Sequence, residues 1–255
     1  MNKYIEQIPG WWTEKGKYNL CLSDDIDSLM SCYYLSMYKD WSIEYFYDFN
    51  RLYCKSKINR NECIGVDIDL LEGRCLGNHV VNNSNKDCIN LNRFARIESI
   101  NYTSKYAGNT ILMVLSLLNV DINNFTEQQQ EILLSVDCMF KSYYFDKNMA
   151  RYYISDILGY PELIHILKNR TKEYFYNILE KYNLHSNIKC KDGYLHTDIK
   201  LEELNEIFKI KLQLPKEEFF ICQNFGQGTG TPNKNTKLFS YALTYRNSGK
   251  YSYYI

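Results

Sequence analysis

The feature that most constrains this chain is an acidic turn that directly follows a short apolar run near the N-terminus. The run extends from Tyr18 to Leu22, and in the residues that follow, Ser23-Asp24-Asp25-Ile26-Asp27, three carboxylates fall within four positions. Such a run predicts the end of a buried strand. After the acids, apolar residues recur at helical spacing, at Leu29, Met30, Tyr33, Tyr34 and Met37. The stretch therefore predicts a strand, an acidic turn and a helix, in that order.

Two interpretations of these acids are open on this stretch alone. In an open α/β sheet, ligands bind beyond the carboxyl ends of the strands, so acids at a strand-to-helix turn lie where chemistry commonly takes place. Alternatively, Asp24 and Asp25 cap the helix, because carboxylates favour the first turn and its free N–H groups. A second strand that ends in acids, at Asp67 and Asp69, favours the functional interpretation.

Length and charge limit the classes of protein to consider. A chain of 255 residues suits one large domain, or a domain of about 150 residues followed by a smaller one. Thirty basic and thirty acidic side chains balance. The balanced net charge therefore gives no long-range electrostatic attraction to nucleic acid or to an anionic membrane. A polyanion would have to bind at a local basic patch.

Cysteine spacing and hydropathy predict a cytoplasmic protein. Nine cysteines are scattered without a CxxC pair, which argues against a zinc site and for reduced thiols. We find no charged-then-apolar leader and no run of about 18 apolar residues, so we expect neither secretion nor a membrane span. The 24 tyrosines and the frequent Asn, Ile and Lys are typical of coding bias in an AT-rich genome, bacterial or phage.

The order of elements over residues 18–143 predicts an α/β fold with a doubly wound, mostly parallel sheet. Residues 51–61 are charged and predict a connection, and residues 82–90 an Asn-rich turn. Thr126 and Gln129 form a capping-box pattern at the start of a helix. The predicted strands are Ser42 to Phe49, Ile64 to Leu70 and Cys75 to Val81, and the predicted helices are Ser104 to Leu118 and Thr126 to Phe140.

The second half of the chain changes character. We predict an α/β domain over residues 1–145, a helical linker over 146–190 that is broken at Tyr160-Pro161, and a small α+β domain over 191–255. The strands expected in this last part are Phe219 to Cys222, Leu238 to Leu243 and Tyr251 to Ile255, with a glycine-rich loop at 224–232 between the first two.

The acidic residues and one polar triplet occur in a recognisable order along the chain. They are Asp25 and Asp27, then Asp67, then the triplet Gly77-Asn78-His79, then Asp137. This order resembles the DHH phosphoesterase superfamily, whose members carry H-x-D-x-D, an Asp at a strand end, D-H-H, and an Asp on a later helix. The resemblance covers roughly residues 18–143. Three positions depart from the pattern: Ser23 and Asn78 stand where the family has metal-binding His residues, and Gly77 stands where it has Asp.

The resemblance implies a site for two divalent cations, Mg²⁺ or Mn²⁺. Asp25 and Asp67 would hold one ion, and Asp27, Asp67 and Asp137 the other, with Ser23 and Asn78 as further ligands. Asp67 and His79 would be the catalytic residues, and His79 would contact the phosphate. Since two imidazoles are lost, only oxygen donors remain, which favours Mg²⁺ or Ca²⁺ over Mn²⁺ or Zn²⁺.

Two glycine-containing segments are candidates for phosphate binding. Gly108, Asn109 and Thr110 open a predicted helix, whose free N–H groups and positive dipole end suit an anion. Gly226, Gly228 and Gly230, near Lys234 and Lys237, resemble loosely the GGGH loop of the family's C-terminal domain. The alternative for this second segment is a hairpin loop, which needs glycine only for its turn geometry.

Two functions remain open. The first is metal-dependent hydrolysis of a phosphate ester in a nucleotide or short oligonucleotide. The alternative is a catalytically inactive protein that binds a nucleotide or a protein target, for example a phage inhibitor of host defence. Retention of four aspartates favours the enzyme, because crowded carboxylates repel one another unless a cation is present. Loss of the histidines favours the binding protein.

Overall fold

The computed structural model describes residues 1–55, 62–81 and 85–255. Its strands are β1 Asn19–Leu22, β2 Ser42–Tyr47, β3 Arg51–Cys54, β4 Cys63–Val66, β5 Cys75–Leu76, β6 Cys88–Ile89, β7 Ile188–Lys191, β8 Tyr194–Thr197, β9 Phe220–Gly230, β10 Leu238–Tyr245 and β11 Ser248–Tyr254. Its α-helices are α1 Ile26–Lys39, α2 Leu91–Phe94, α3 Thr110–Leu117, α4 Glu127–Ser135, α5 Phe140–Phe145, α6 Lys147–Arg151, α7 Pro161–Asn169, α8 Lys172–Tyr182 and α9 Leu201–Phe208, with a π-helical turn at Tyr152–Ile157.

Within these ranges, nine strands form one mixed sheet in the order β10-β11-β9-β3-β2-β1-β4-β5-β6, and β7 pairs with β8 in a separate hairpin. In the part of the sheet with the order β2-β1-β4-β5-β6, every pair of neighbouring strands is parallel. The pairs from β2 through β3, β9 and β11 to β10 are antiparallel. The predicted α/β class is confirmed, and the parallel arrangement holds for five strands of a sheet that is mixed as a whole.

The direction in which the sheet grows reverses at β1. Helix α1 leads from β1 to β2 on one side, and β4 pairs with β1 on the other side. In an open sheet this reversal leaves a crevice outside the carboxyl ends of the two central strands. Asp25 and Asp27 follow β1, and Asp67 follows β4. The predicted acidic strand ends therefore adjoin the same crevice.

The two faces of the sheet are covered in different ways. Side chains alternate along a strand, so Leu20 and Leu22 join the large core made with the helices, while Cys21 packs on the opposite face with Tyr47 and Phe225. Strand β10 crosses this second face, where Ser240 forms a β-bridge with Leu70 and Leu243 forms one with Val80. The C-terminal strands thus take the place that a doubly wound fold gives to helices, and the connection 67–74 from β4 to β5 contains no helix.

Local sequence signals account well for the helix starts. Asp25 is the N-cap of α1, and its carboxylate accepts a hydrogen bond from the Ser28 amide. At the start of α4, the Thr126 hydroxyl accepts from the Gln129 amide at 3.3 Å, and the Gln129 side chain accepts from the Thr126 amide at 2.7 Å. The predicted capping box is confirmed.

Replacing Thr126 with Ala is expected to lower the free energy of unfolding by about 1 kcal/mol, because one amide of the first turn of α4 loses its acceptor. Urea unfolding followed by far-UV circular dichroism measures this change. Thr126→Ser keeps the hydroxyl and serves as the matched control. Equal stability of the Ala and Ser variants would show that α4 does not depend on this cap.

Three predicted connections contain strands, and these predictions were wrong there: residues 51–61 contain β3, residues 82–90 contain β6 and residues 224–232 contain part of β9. Residues Arg51–Cys54 form β3, because they pair both with β2 and with the distant β9. Residues 56–61 of the predicted connection, and residues 82–84 of the predicted Asn-rich turn, lie outside the described residues. Most of the expected glycine loop at 224–232 belongs to β9, which pairs with β11.

The glycines of β9 make room for tyrosine rings. A Cβ atom at Gly226 would lie 2.3 Å from the Tyr253 ring, and one at Gly228 would lie 2.3 Å from the Tyr251 ring. Because β9 also pairs with β3, the strands from Phe220 onward extend the same sheet as the first part of the chain. The division into domains at residues 146 and 191 stays a prediction.

No helix in the described part of the chain combines the length and the apolar character needed to cross a bilayer.

Candidate functional site

Asp27 links the start of α1 to the start of α3. Its side chain is buried, with the residue 1% exposed. One carboxylate oxygen accepts from the Thr110 amide and the other from the Ile111 amide, both at 2.7 Å. The first amides of α3, which the sequence suggested for a phosphate, are therefore directed at a protein carboxylate.

Asp67 and Asp137 both lie in left-handed backbone conformation, with φ of 59° and 50°. Aspartate adopts this conformation more readily than most residues, and such positions cluster at functional sites. The Asp67 carboxylate accepts from the Thr110 hydroxyl at 2.6 Å. Asp137 follows the end of α4, and its carboxylate accepts a long hydrogen bond of 3.4 Å from the Asn78 amide group.

The four aspartates perturb one another. Burial, reinforced by the charge of Asp137, raises the pKa of Asp67 to about 7. Burial likewise raises the pKa of Asp137 to about 6, against the opposing charge of His79. Burial and then the charge of Asp67 raise the pKa values of Asp25 and Asp27 well above the ordinary range. Without a cation, the cluster therefore holds fewer than four negative charges at neutral pH.

His79 is held by a second buried acid. Its Nδ1 lies 3.0 Å from a carboxylate oxygen of Asp69, which also accepts from the His79 amide at 3.3 Å. Burial disfavours the charged imidazole, but the hydrogen bond and negative charge of Asp69, together with the charges of Asp137 and Asp67, outweigh this effect and raise the pKa of His79 to about 9. The imidazole is therefore mainly cationic at neutral pH.

Two buried asparagines hold the triplet 77–79, and the sequence analysis missed both. The Asn90 amide group donates to the Asp69 carboxylate and to the His79 carbonyl, each at 2.8 Å. The Asn92 amide group donates to the Asn78 carbonyl at 2.8 Å. The available signal was the place of Asn90 directly after β6, at the carboxyl end of a parallel strand, where only a turn was predicted. Asn92 follows in α2.

Three buried side-chain oxygens in the described ranges have no hydrogen-bond partner: Ser23 Oγ, Ser31 Oγ and Asn78 Oδ1. An unsatisfied buried acceptor costs roughly 1–3 kcal/mol, so such atoms require an explanation. Ser23 and Asn78 are two of the positions for which the family resemblance implies metal ligands. Ser31 lies further along α1 and has no such role in the pattern.

The side chains are not arranged as a ready metal site. Among the residues that the structure describes, no three His, Cys, Asp or Glu side chains form a group that could hold an ion as they stand. The oxygens of Asp25, Asp27 and Asp67 instead accept hydrogen bonds from Ser28, Thr110 and Ile111. A cation would therefore require rotation of these carboxylates.

The predicted phosphate ligands have other contacts. Asn109 is fully buried and donates to the carbonyls of Leu133 and Val136. Thr110 uses both its amide and its hydroxyl on the aspartates. The prediction of free groups at this helix start was wrong, because a carboxylate from α1 fills the place of the anion. Gly226, Gly228 and Gly230 lie in β9, which β3 and β2 separate from β1, so the loop that was to hold a phosphate is a strand.

A cavity of about 520 Å³ adjoins the site. Asn78, His79, Gly108 and Asp137 form one part of its wall, and Lys105 and Lys141 contribute cationic groups. Four aromatic side chains also line it, namely Tyr102, Tyr106, Phe145 and Tyr153. These lysines and rings were not predicted to form a site, because they come from separate segments whose proximity is not visible in the sequence.

Comparison with protein-family models, curated proteins and solved structures finds no match to this chain.

Proposed function

We propose that this protein is a metal-dependent phosphoesterase-like protein related to the DHH superfamily, acting on a phosphate ester of a nucleotide or short oligonucleotide. The observation that carries the proposal is the pair of unsatisfied buried oxygens, Ser23 Oγ and Asn78 Oδ1, at two expected ligand positions. The strand order β2-β1-β4-β5-β6 also supports it. The sheet grows in opposite directions from β1 to β2 and from β1 to β4, and the acids follow β1 and β4.

The chemistry of the donors fits a hard divalent cation. All of the candidate ligands offer oxygen, which suits Mg²⁺ better than softer metals. Asp25 and Asp67 would hold one ion and Asp27, Asp67 and Asp137 another, after rotation of the carboxylates from their present orientation. A carboxylate oxygen that accepts one hydrogen bond also keeps a further lone pair. When bound, such ions supply an activated water and stabilise the leaving oxygen.

The cavity indicates which ester would fit. Its volume of about 520 Å³ falls within the range of ~300–1,000 Å³ that is usual for small-molecule sites. Aromatic rings suit a nucleobase, and Lys105 and Lys141 suit a phosphate. With Nδ1 turned to Asp69, His79 has Nε2 left to donate to a phosphate oxygen at the wall of the cavity.

The decisive experiment combines calorimetric titration of the protein with Mg²⁺ and Mn²⁺ and a hydrolysis assay on bis(p-nitrophenyl) phosphate and on a dinucleotide. We expect saturable metal binding and metal-dependent hydrolysis that a chelator abolishes. Absence of both metal binding and hydrolysis would reject the proposal.

The absence of a ready three-ligand group in the described ranges favours a second candidate, a protein that binds a nucleotide without cleaving it. For this candidate we expect nucleotide binding in the same calorimeter with no hydrolysis, whether or not metal is added.

Lys105→Ala and Lys141→Ala are each expected to weaken binding of a nucleoside monophosphate by about tenfold, because a charge-assisted hydrogen bond contributes roughly 1.5–3 kcal/mol. Calorimetry with the nucleotide measures the change. Lys168→Ala, on the exposed side of α7, is the matched control. Equal affinity of all three variants would place the ligand outside this cavity.

A further inference from the structure

Gly77 lies against the carboxylate of Asp69. A Cβ atom built at Gly77 would lie 2.0 Å from Asp69 Oδ1 and 2.7 Å from Asp69 Cγ. The backbone of Gly77 is not in the left-handed region, so its conformation alone would accept a side chain. The carboxylate of Asp69, rather than backbone strain, therefore requires glycine at this position.

The Asp69 carboxylate is fully engaged by the segments around the triplet. Its side chain is 4% exposed. One oxygen accepts from the His79 ring and the His79 amide. The other accepts from the Asn90 side chain at 2.8 Å. Because Asn90 also donates to the His79 carbonyl, Asp69 and Asn90 together fix both the ring and the backbone of His79.

We propose that Asp69, in the connection between β4 and β5, is the positioning residue of His79. Gly77 is the residue that leaves room for the Asp69 carboxylate. Asp69 holds Nδ1 of the imidazole so that Nε2 is left for the cavity. The use of Nε2 for a phosphate rests on the proposed function, whereas the relation between Asp69, Gly77 and His79 does not.

An acid at position 77 could perform the same task. An Asp side chain commonly accepts from the amide two residues further on, as in an Asx-turn, and the residue two positions after 77 is His79. Its carboxylate would occupy the volume that Asp69 now fills. Gly77→Asp alone would therefore create a clash between two buried carboxylates, whereas the exchange Asp69→Gly with Gly77→Asp would remove it.

The steric part is tested by a double-mutant cycle of Gly77→Ala and Asp69→Ala, measured by thermal unfolding. We expect Gly77→Ala to lower the melting temperature by about 5 °C or more in the wild-type background and by little in the Asp69→Ala background. If Gly77→Ala does not fold alone but folds in the double variant, the result has the same meaning. Equal losses in both backgrounds would overturn the proposal.

The positioning part is tested by NMR of the imidazole Nδ1 proton of His79, in protein labelled with ¹⁵N histidine. A proton shared with a buried carboxylate gives a downfield, slowly exchanging signal, which we expect in the wild type but not in Asp69→Ala. Asp69→Asn keeps the shape but not the charge, so its signal should move upfield. A signal unchanged in Asp69→Ala would overturn the assignment, whatever the outcome of the hydrolysis assay.

Discussion

Asp67→Asn is expected to lower the affinity of the protein for Mn²⁺ and Mg²⁺ by at least about tenfold, whereas Asp24→Asn leaves it nearly unchanged. Asp67 follows β4 at the crevice, and its charge acts on both Asp25 and Asp27. In the proposed site it serves both ions, so its loss removes one charged ligand from each. Calorimetric titration of the two variants and the wild type measures the difference.

Asp24 is a matched control because it precedes the same helix but makes different contacts. Its carboxylate accepts from the Asn187 side chain, and its carbonyl accepts from the Ile188 amide, so it joins α1 to β7. Equal loss of affinity in both variants would mean either that Asp24 is itself a ligand or that the site does not hold two ions.

The free energy of unfolding, measured in a chelator, is expected to fall as the pH rises from about 5 to about 8. The folded-state pKa values are about 7 for Asp67 and about 6 for Asp137, above the value near 4 of an unfolded carboxyl group. Between these values the folded state binds more protons, so stability is fully present below about pH 4 and is lost as the pH rises through the folded pKa values. Each titrating carboxyl group contributes a slope of up to about 1.4 kcal/mol per pH unit.

Urea unfolding at a series of pH values tests this expectation, with Asp67→Asn as the control that removes one titrating group and flattens the curve. Adding Mg²⁺ at pH 8 should restore stability, because a cation that binds only the folded state stabilises it by mass action. A chelated protein whose stability rises steadily from pH 5 to pH 8 would show that the carboxylates ionise freely and do not crowd one another.

The part of the site that could be predicted from the sequence depends on local sequence patterns. The acids after β1 and β4, the cap of α1 and the capping box of α4 each depend on residues within a few positions of one another, so a strand, a turn and a helix start are visible in the sequence. The contacts at the start of α3 could not be predicted in this way. Its small residues predicted free amides, but Asp27, 83 residues earlier, accepts the hydrogen bond from Thr110.

Long-range pairing explains the other differences. Arg51–Cys54 forms a strand because β9 pairs with it, and the second face of the sheet is covered by β10 rather than by helices. Neither contact leaves a trace in local periodicity. Asn90 was predicted in a turn and no role was predicted for Asn92, although each is fully buried with its side chain hydrogen-bonded. The groups that they bind lie in segments that are distant in sequence.

The bridges from β10 to Leu70 and Val80 have a consequence for the order of folding. These bridges flank the segment that carries the triplet 77–79, and Asp69 directly precedes the first of them. They join this region to a strand that is synthesised much later. Contacts between such distant segments form slowly, because a long loop must close first. The parallel strands and α1 can assemble early from neighbouring residues, whereas the segment that holds His79 is fixed only when β10 docks. We therefore expect the site to take its final geometry later in folding than the parallel strands and α1.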